Sequence, residues 1–410
     1  MKLKRIRNSK EFIKIKNDPI LIITLPIALI LTFFLFIIRP LCLIKIGLLH
    51  SDRIGHFALN TELFICEKLY FNKRGFEFFY YPTKPCNNQL AKIIQRNLVV
   101  IPKIIARPFD LIFRKFEFLK AHRTRNNNAD YDVHNLIDKL PTQLTLTKEE
   151  LTRGNKILKR YGYQNKKIIL FIIRDDSYLK SVYRKKYSIS NYHGHRDDDI
   201  ENYKNAMLFL AKKGYLVFRM GKKVKKKIDI KHKNIIDYPY CKFKSDFMDV
   251  FLAKKSYFGV TNLTGYDALF VIFRKPMLCL GSLPIGCMFS SSKNYLNTVY
   301  YHYSKKLKRN LSMTEIFEKN LAFSFNNLDF KKKDVQIIKF KSYEISMYIK
   351  DMLNFVQNKS SYKNNKSNKR VTLLYKYLIN KYDIQKRFHG KIRSYFSNYF
   401  LKRNFKHFVR

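Results

Sequence analysis

The sequence predicts an α/β protein of two tandem halves, with an apolar helix before them and a helical, basic tail after them. Three observations carry that expectation. Short apolar runs alternate with helical patterns, break off, and alternate again, as parallel sheets covered by helices require. The length of 410 residues suits two domains and a tail. Apolar residues make up 46%, which supplies a sizeable core and excludes a disordered chain.

Residues 1–40 read as a basic segment and a membrane anchor. The run from Ile20 to Ile38 carries no charge, and nineteen residues cross about 30 Å of hydrocarbon as a helix. No small-residue cleavage site follows, which favours a retained anchor over a signal peptide. Pro26 predicts a kink, which membrane helices tolerate. Lys2, Lys4, Arg5 and Arg7 precede the run and favour a cytoplasmic amino terminus. Arg39, Lys45 and Arg53 follow it at once, so a span and a segment that re-enters the same face both stay open. A buried core helix is the lesser alternative.

Residues 41–145 form the first half. "LCLIKIGLL" is a buried strand pattern, "TELFICEKLYF" a helix, and "FEFFYY" a strand ended by Pro82 and Pro85. "NQLAKIIQRNL" is helical, and "LVVIP" is the next strand. The polar stretch around "RTRNNNADYD" then breaks the alternation. In "TKEELTRGNKILKRYGY", Thr147 and Glu150 have capping-box spacing and Gly162 suits the helix end.

Residues 146–340 form the second half. Ile168 to Ile173 reads as a central strand, with Arg174, Asp175 and Asp176 at its carboxyl end. A helix begins near Asp199, with Ile200, Tyr203, Met207 and Leu210 on one face, and Gly214 ends it. "YLVFRMG" is a strand, Ser245 caps the helix of "SDFMDVFLAKK", and "SYFGVT", "GYDALFVIF" and "KPMLCLG" follow as strand, helix and strand. In the tail, residues 341–410, the stretch from Gln357 to Arg370 reads as a polar linker. The last forty residues read as a basic, aromatic helix, lying on a membrane surface or packing back on the body.

The net charge of +50 attracts polyanions, nucleotides included. Nucleic acid and an anionic membrane both fit it, but so does a compositional bias toward Lys, Ile, Asn, Phe and Tyr. The six cysteines form no CxxC pair and read as reduced core thiols, which implies a reducing compartment. There is no GxGxxG, GxxxxGKS, GxSxG or HExxH, so a nicotinamide enzyme, a P-loop NTPase, a serine hydrolase of the elbow type and a zincin are unsupported.

Open parallel sheets bind ligands beyond the carboxyl ends of their strands. Four polar loops qualify: "HSDRIGHF", "RDDSYL", "RMGK" and "TNLTGYD". Thr261, Asn262, Thr264 and Gly265 precede a helix whose free N–H groups would suit a phosphate. Arg174 and Arg219 end consecutive strands and would clamp a diphosphate. Pairing of these arginines with Asp175, Asp197 or Asp246 is the equal alternative. "NYHGHRDDDIENY" offers His193 and His195 to a metal, but Asp197 to Asp199 fall where a helix begins, so a cap within a cleft loop is favoured.

These motifs, in this order, resemble a family of bacterial surface-carbohydrate glycosyltransferases. The resemblance rests on "SDRIGHFALNTELFICE", "YYPTKPCNNQLAKII", "RDDSYL", "DIENYKNAMLFLAKKGYLVFRMG", "FKSDFMDVFLA" and "YFGVTNLTGYDALFVIFRKPMLCL", collinear from about Leu41 to Gly281. It implies a GT-B arrangement of two Rossmann-like domains, with the nucleotide sugar on the C-terminal one and the acceptor facing the N-terminal one. It implies no cofactor and no catalytic metal. Ile172 stands where members often carry histidine, and "TNLTG" replaces a serine–glycine loop.

The expected activity is transfer of a sugar from a nucleoside diphosphate sugar to a surface-glycan or lipid-linked acceptor, at the cytoplasmic membrane with the body in the cytoplasm. His56 or Asp52 is the expected base. Arg174, Asp175, Arg196, Asp199, Arg219, Gly221, Ser245, Asp246, Thr261, Asn262, Thr264 and Gly265 are the expected donor-side residues. The rival is a non-enzymatic, membrane-anchored basic protein binding nucleic acid or anionic lipid through "GKKVKKKIDIKHK" and the tail. No recognition module is present, so no specific nucleic acid is expected.

Overall fold

A computed structural model describes residues 18–72, 75–124, 131–182, 194–383 and 388–410. The chain divides into two compact units, 1–130 and 131–410.

The first unit contains α1 (Pro19–Ile37), β1 (Ile44–Leu48), α2 (Ile54–Tyr70), β2 (Phe76–Tyr80), α3 (Asn88–Gln95), β3 (Val99–Val100) and α4 (Lys103–Lys115), closed by a 3-10 turn at Glu117–His122. The strands lie in the order β1-β2-β3 and are parallel, with Leu48 opposite Tyr80 and Phe79 opposite Val100. Helix α2 starts seven residues ahead of "TELFICEKLYF", at Ile54 instead of Thr61. Helix α1 is long and apolar enough to cross a membrane. It is nonetheless docked on the unit: Leu21, Ala28 and Thr32 are buried, and Ala28 shares a core with Ile46, Tyr80, Ala106 and Phe113.

The second unit has α5 (Lys148–Arg160), β4 (Ile168–Ile172), α6 (Ser177–Val182), α7 (Lys204–Lys212), β5 (Leu216–Arg219), β6 (Ile235–Asp237), α8 (Asp246–Lys255), β7 (Ser256–Thr261), α9 (Asp267–Ile272), β8 (Met277–Cys279) and β9 (Tyr295–Asn297). The remainder is β10 (Tyr301–Ser304), β11 (Arg309–Asn310), α10 (Met313–Glu318), α11 (Asn327–Lys332), β12 (Val335–Ile338), α12 (Ser342–Gln357), α13 (Lys359–Asn364), α14 (Lys366–Tyr382), β13 (Tyr395–Phe396) and α15 (Asn398–Phe408). A seven-stranded sheet runs β13-β9-β8-β7-β4-β5-β6, with every pairing parallel. Strand β4 is buried throughout, as its unbroken apolar run requires. From β4 the chain builds outward to β5 and β6, then returns to lay β7, β8 and β9 on the other side. The order therefore reverses between β4 and β7. Ligand crevices form at such switch points.

Local signals explain the entries to these helices. The Thr147–Glu150 capping box is formed, with Glu150 N–H donating to Thr147 Oγ1 at 3.2 Å. Gly162 takes a left-handed φ of 70° past the end of α5, which costs glycine nothing. The six cysteines are free thiols.

Two expectations are corrected. The stretch from Gln357 to Arg370 is not a linker: α13 and α14 occupy it, burying Tyr362 and Asn368. For the last forty residues, packing back on the body is the alternative that the structure shows. Strand β13 pairs with β9 at the sheet edge, and Phe396, Phe400, Leu401 and Phe408 enter the core that holds Tyr348 and Ile349. Residues 131–145 belong with this unit too. Asp132 accepts from the Leu136 and Ile137 amides, and Asn135 Nδ2 donates to the Ser291 and Lys391 carbonyls.

Candidate anion site at the β4–β7 switch point

Residues that leave the carboxyl ends of β4 and β7 meet a loop that precedes α7. Asn262, just past β7, joins them. Its Oδ1 accepts the Arg174 amide at 2.7 Å, and its Nδ2 donates to the Arg196 carbonyl at 3.0 Å. The Asp198 amide donates back to the Arg174 carbonyl at 3.0 Å. Arg174 Nε donates to Asp197 at 2.9 Å, and Arg196 Nη2 to the Leu263 carbonyl at 2.6 Å. Leu263 holds a φ of 65°, a strained value for a branched side chain, and its carbonyl is the one that Arg196 engages. The third cation comes from the end of β12. Lys339 Nζ donates to the His195 carbonyl and lies 4.2 Å from the centre of the Tyr300 ring.

Three cations thus lie within electrostatic reach of one another, with two carboxylates nearby. Asp198 is engaged by the Tyr203 hydroxyl at 2.9 Å and the Tyr300 hydroxyl at 2.8 Å, and Asp197 pairs with Arg174. Burial lowers the Lys339 pKa to about 8, with Arg196 and Arg174 adding to the shift and Asp198 and Asp197 opposing it. Burial, then Arg174, lowers Arg196 to about 10. Burial raises the Asp197 carboxyl, although Arg174 pulls the other way. Arg174 Nη2 and Arg196 Nε are buried and have no hydrogen-bond partner among the described residues. Buried donors in this state are costly and call for an acceptor. The arrangement is suited to a multivalent anion.

His195 is hostile to a metal. Burial, then Arg196, Lys339 and Arg174, push its imidazole down to about 3, and the same cations repel any metal ion. His193 lies outside the described residues. Among the described residues no three metal-binding side chains gather.

The other expected residues divide sharply. Arg219 does not join Arg174. It is 3% exposed, donates to Asp237 at 2.8 Å and to the Lys226 carbonyl at 3.0 Å, and so pins the lysine-rich loop to β6. The guanidinium beside Arg174 is that of Arg196. The phosphate role of the helix end after Thr264 also fails. Asp267 already fills that position: its carboxylate accepts from the Thr264 amide at 2.7 Å, the Thr264 hydroxyl at 3.0 Å and Thr261 at 2.6 Å. Burial raises Asp267 to about 7 against those hydrogen bonds. Thr261 is therefore buried structure, and Gly265 is an exposed turn residue.

Asp175 staples two rim loops, accepting from the Ser177 amide at 2.9 Å and the Lys225 amide at 3.0 Å. Asp199 is a cap, as its position suggests. It accepts from Glu201 N–H at 3.0 Å and pairs with Lys226 at 2.8 Å. Ser245 caps α8 through Met248 N–H at 3.2 Å, and Asp246 lies 3.8 Å from Lys222. Gly221 opens the same loop, at a position where a Cβ would collide with the Val224 side chain. Sequence reasoning missed Lys339 and the Tyr203–Asp198–Tyr300 cluster. The local hint of Lys339 is its place as the first residue after the strand-like run "VQII".

In the first unit, Asp52 and His56 lie beyond the carboxyl end of β1. Asp52 is exposed, and His56 is half-buried in the first turn of α2 with its ring 5.8 Å from that of His50. Their loop is held by Ser51, whose hydroxyl donates to the Thr83 carbonyl at 2.7 Å while its carbonyl accepts from Cys86 N–H at 2.8 Å.

No protein-family model and no curated protein matches the chain. Among solved structures it is similar to a glycosyl transferase of family 9 from Veillonella parvula, at 9% identity and a TM-score of 0.42, covering 71% of this chain and 95% of that one. It is also similar to E. coli ADP-heptose LPS heptosyltransferase II, at 12% identity and a TM-score of 0.36, covering 58% of this chain and 84% of that one. Likeness at these values carries no functional weight.

Proposed function

We propose that the second unit binds the diphosphate of a nucleoside diphosphate sugar at the β4–β7 switch point. The chain then transfers the sugar to a surface-glycan or lipid-linked acceptor at a membrane. One observation carries this reading: Arg174, Arg196 and Lys339 converge at the switch point, with two buried guanidinium nitrogens unpaired among the described residues. A nucleoside diphosphate leaving group gains negative charge on its β-phosphate as the glycosidic bond breaks. Fixed cations aimed there stabilise that charge without reorganising. Guanidinium groups meet two phosphate oxygens at once. Asn262 acts as a positioning residue, since it ties the Arg174 and Arg196 backbones together.

His56 is our candidate to take the acceptor hydroxyl proton, with Asp52 as the alternative. The resemblance between this sequence and surface-carbohydrate glycosyltransferases points the same way. The lysines of residues 222–227 belong to the rim, where the Lys226 and Lys222 ammonium groups pair with Asp199 and Asp246 and the Lys225 backbone amide donates to Asp175. That use differs from a free polybasic strip for nucleic acid. Calorimetric titration with nucleoside monophosphates, diphosphates and diphosphate sugars tests the proposal. Diphosphates should bind at least tenfold more tightly than monophosphates. Equal affinity for both would overturn it.

A further inference from the structure

We propose that α1 lies along the surface of an anionic bilayer and does not cross it, and that exposed parts of α4 and the following 3-10 turn enter the same lipid layer. This rests on the membrane association proposed above and adds a geometry to it. Helix α1 has two long faces. Leu21, Leu25, Ala28, Thr32 and Leu35 form a seam against the unit, all buried or half-buried. Ile20, Ile23, Ile27, Ile30, Phe34 and Ile37 face outward and are exposed.

Both ends of α1 are tied down. Asp18 pairs with Arg107 of α4 at the start. Near the end, the Phe36 ring meets Phe118 edge-on at 5.5 Å. The helix is about 28 Å long at 1.5 Å per residue, and the unit accompanies it over that whole length.

A crossing is incompatible with this docking. The hydrocarbon core is about 30 Å thick, so a spanning α1 would carry α4 into it. Helix α4 brings Arg107, Asp110 and Arg114. Asp110 is buried, accepting from the Tyr80 hydroxyl at 2.8 Å and Arg114 at 2.9 Å, and so links α4 to the sheet. A helix lying in the interface needs to sink only about 5–10 Å. Helix α1 has no polar face of its own, but the unit covers its inner seam and leaves the remaining apolar surface to the lipid.

Neighbouring exposed residues extend the face. Ile104 and Ile105 sit one turn from Arg107, and Phe116 and Phe118 lie at the Phe36 end. Arg39, Lys103 and Lys115 are exposed beside these ends, where headgroup phosphates would meet them. That charge selects an anionic bilayer over an apolar protein partner.

The sequence contains no tryptophan, so single substitutions give unique fluorescent reporters. Ile20→Trp, Ile30→Trp, Ile37→Trp and Ile104→Trp place one indole at each end and the middle of the exposed face and one on α4. The full chain is bound to phosphatidylcholine–phosphatidylglycerol vesicles carrying bromine at a shallow or a deep acyl position. All four reporters should be quenched more by shallow than by deep bromine, and the three on α1 should report the same depth. Removing phosphatidylglycerol should weaken binding at least tenfold. A deep Ile30→Trp between shallow ends, with Ile104→Trp unquenched, would show a spanning helix and overturn the in-plane geometry alone. No vesicle binding by the unsubstituted chain would overturn membrane association itself. Unchanged melting temperatures confirm that each variant keeps its fold.

Discussion

Replacing Arg196 by methionine should separate binding from stability. Burial and Arg174 together penalise the Arg196 guanidinium and lower its pKa to about 10. At about 1.36 kcal/mol per unit that is about 3 kcal/mol against the charged form, and its partial exposure trims this to roughly 2 kcal/mol. Methionine removes that penalty and keeps most of the volume. It also removes the bond to the Leu263 carbonyl, a charge-assisted contact of about 1.5–3 kcal/mol. The two effects nearly cancel, so Arg196→Met should change the stability of the ligand-free protein by no more than about 1 kcal/mol. Diphosphate affinity should fall about ten- to a hundredfold, because one charge-assisted contact of about 1.5–3 kcal/mol is lost from the complex. Arg196→Lys should lose affinity as well, since the charge remains but the fork does not. Denaturant melts and calorimetric titration read the two quantities. A large loss of stability with unchanged affinity would make Arg196 a structural residue and refute the reasoning.

Lys339 should make binding pH-dependent. Its pKa is lowered to about 8, so the cation that holds the anion is present below that pH and is lost as pH rises through it. Folding runs the other way: the cost of burying the charge is full below about 8 and is relieved as pH rises toward 10.5. Affinity should therefore drop above pH 8 in the native chain, and Lys339→Met should flatten the profile. Arg219→Ala should cost about 3–5 kcal/mol of stability, because it strands the Asp237 carboxylate, yet folded molecules should bind the diphosphate nearly normally. Chelators should leave diphosphate binding intact; loss restored by one divalent ion alone would return His193 and His195 to consideration. Deleting residues 1–40 should destabilise the first unit, visible as a lower melting temperature, since the α1 seam covers Ala106, Ile112 and Phe113. An unchanged melting temperature would show that the seam contributes nothing.

Features coded by neighbouring residues were legible in the sequence. The β4 run, the Thr147–Glu150 box, the Ser245 cap and the Gly162 stop need only short-range periodicity and capping chemistry. Features set by strand order were not. Arg174 and Arg219 both end strands, but only β4 borders the switch point, and β5 lies one place further out. Nothing local separates them. Lys339 reaches the site from 144 residues beyond His195. The supposed linker misled because its Asn, Lys and Ser residues look solvated. Tyr362 and Asn368 are buried within that polar background, and Asn368 even bonds the Phe396 backbone. A polar side chain with a distant backbone partner is invisible to composition.

The central claim is that the switch-point cations hold a nucleoside diphosphate. A thermal-shift screen of the full chain against the common nucleoside diphosphates and their sugars, repeated on Arg174→Ala, tests it most directly. The account predicts a rise in melting temperature with the diphosphates of one base, lost in the variant. Equal stabilisation by every polyanion, or a response that Arg174→Ala leaves untouched, would contradict it.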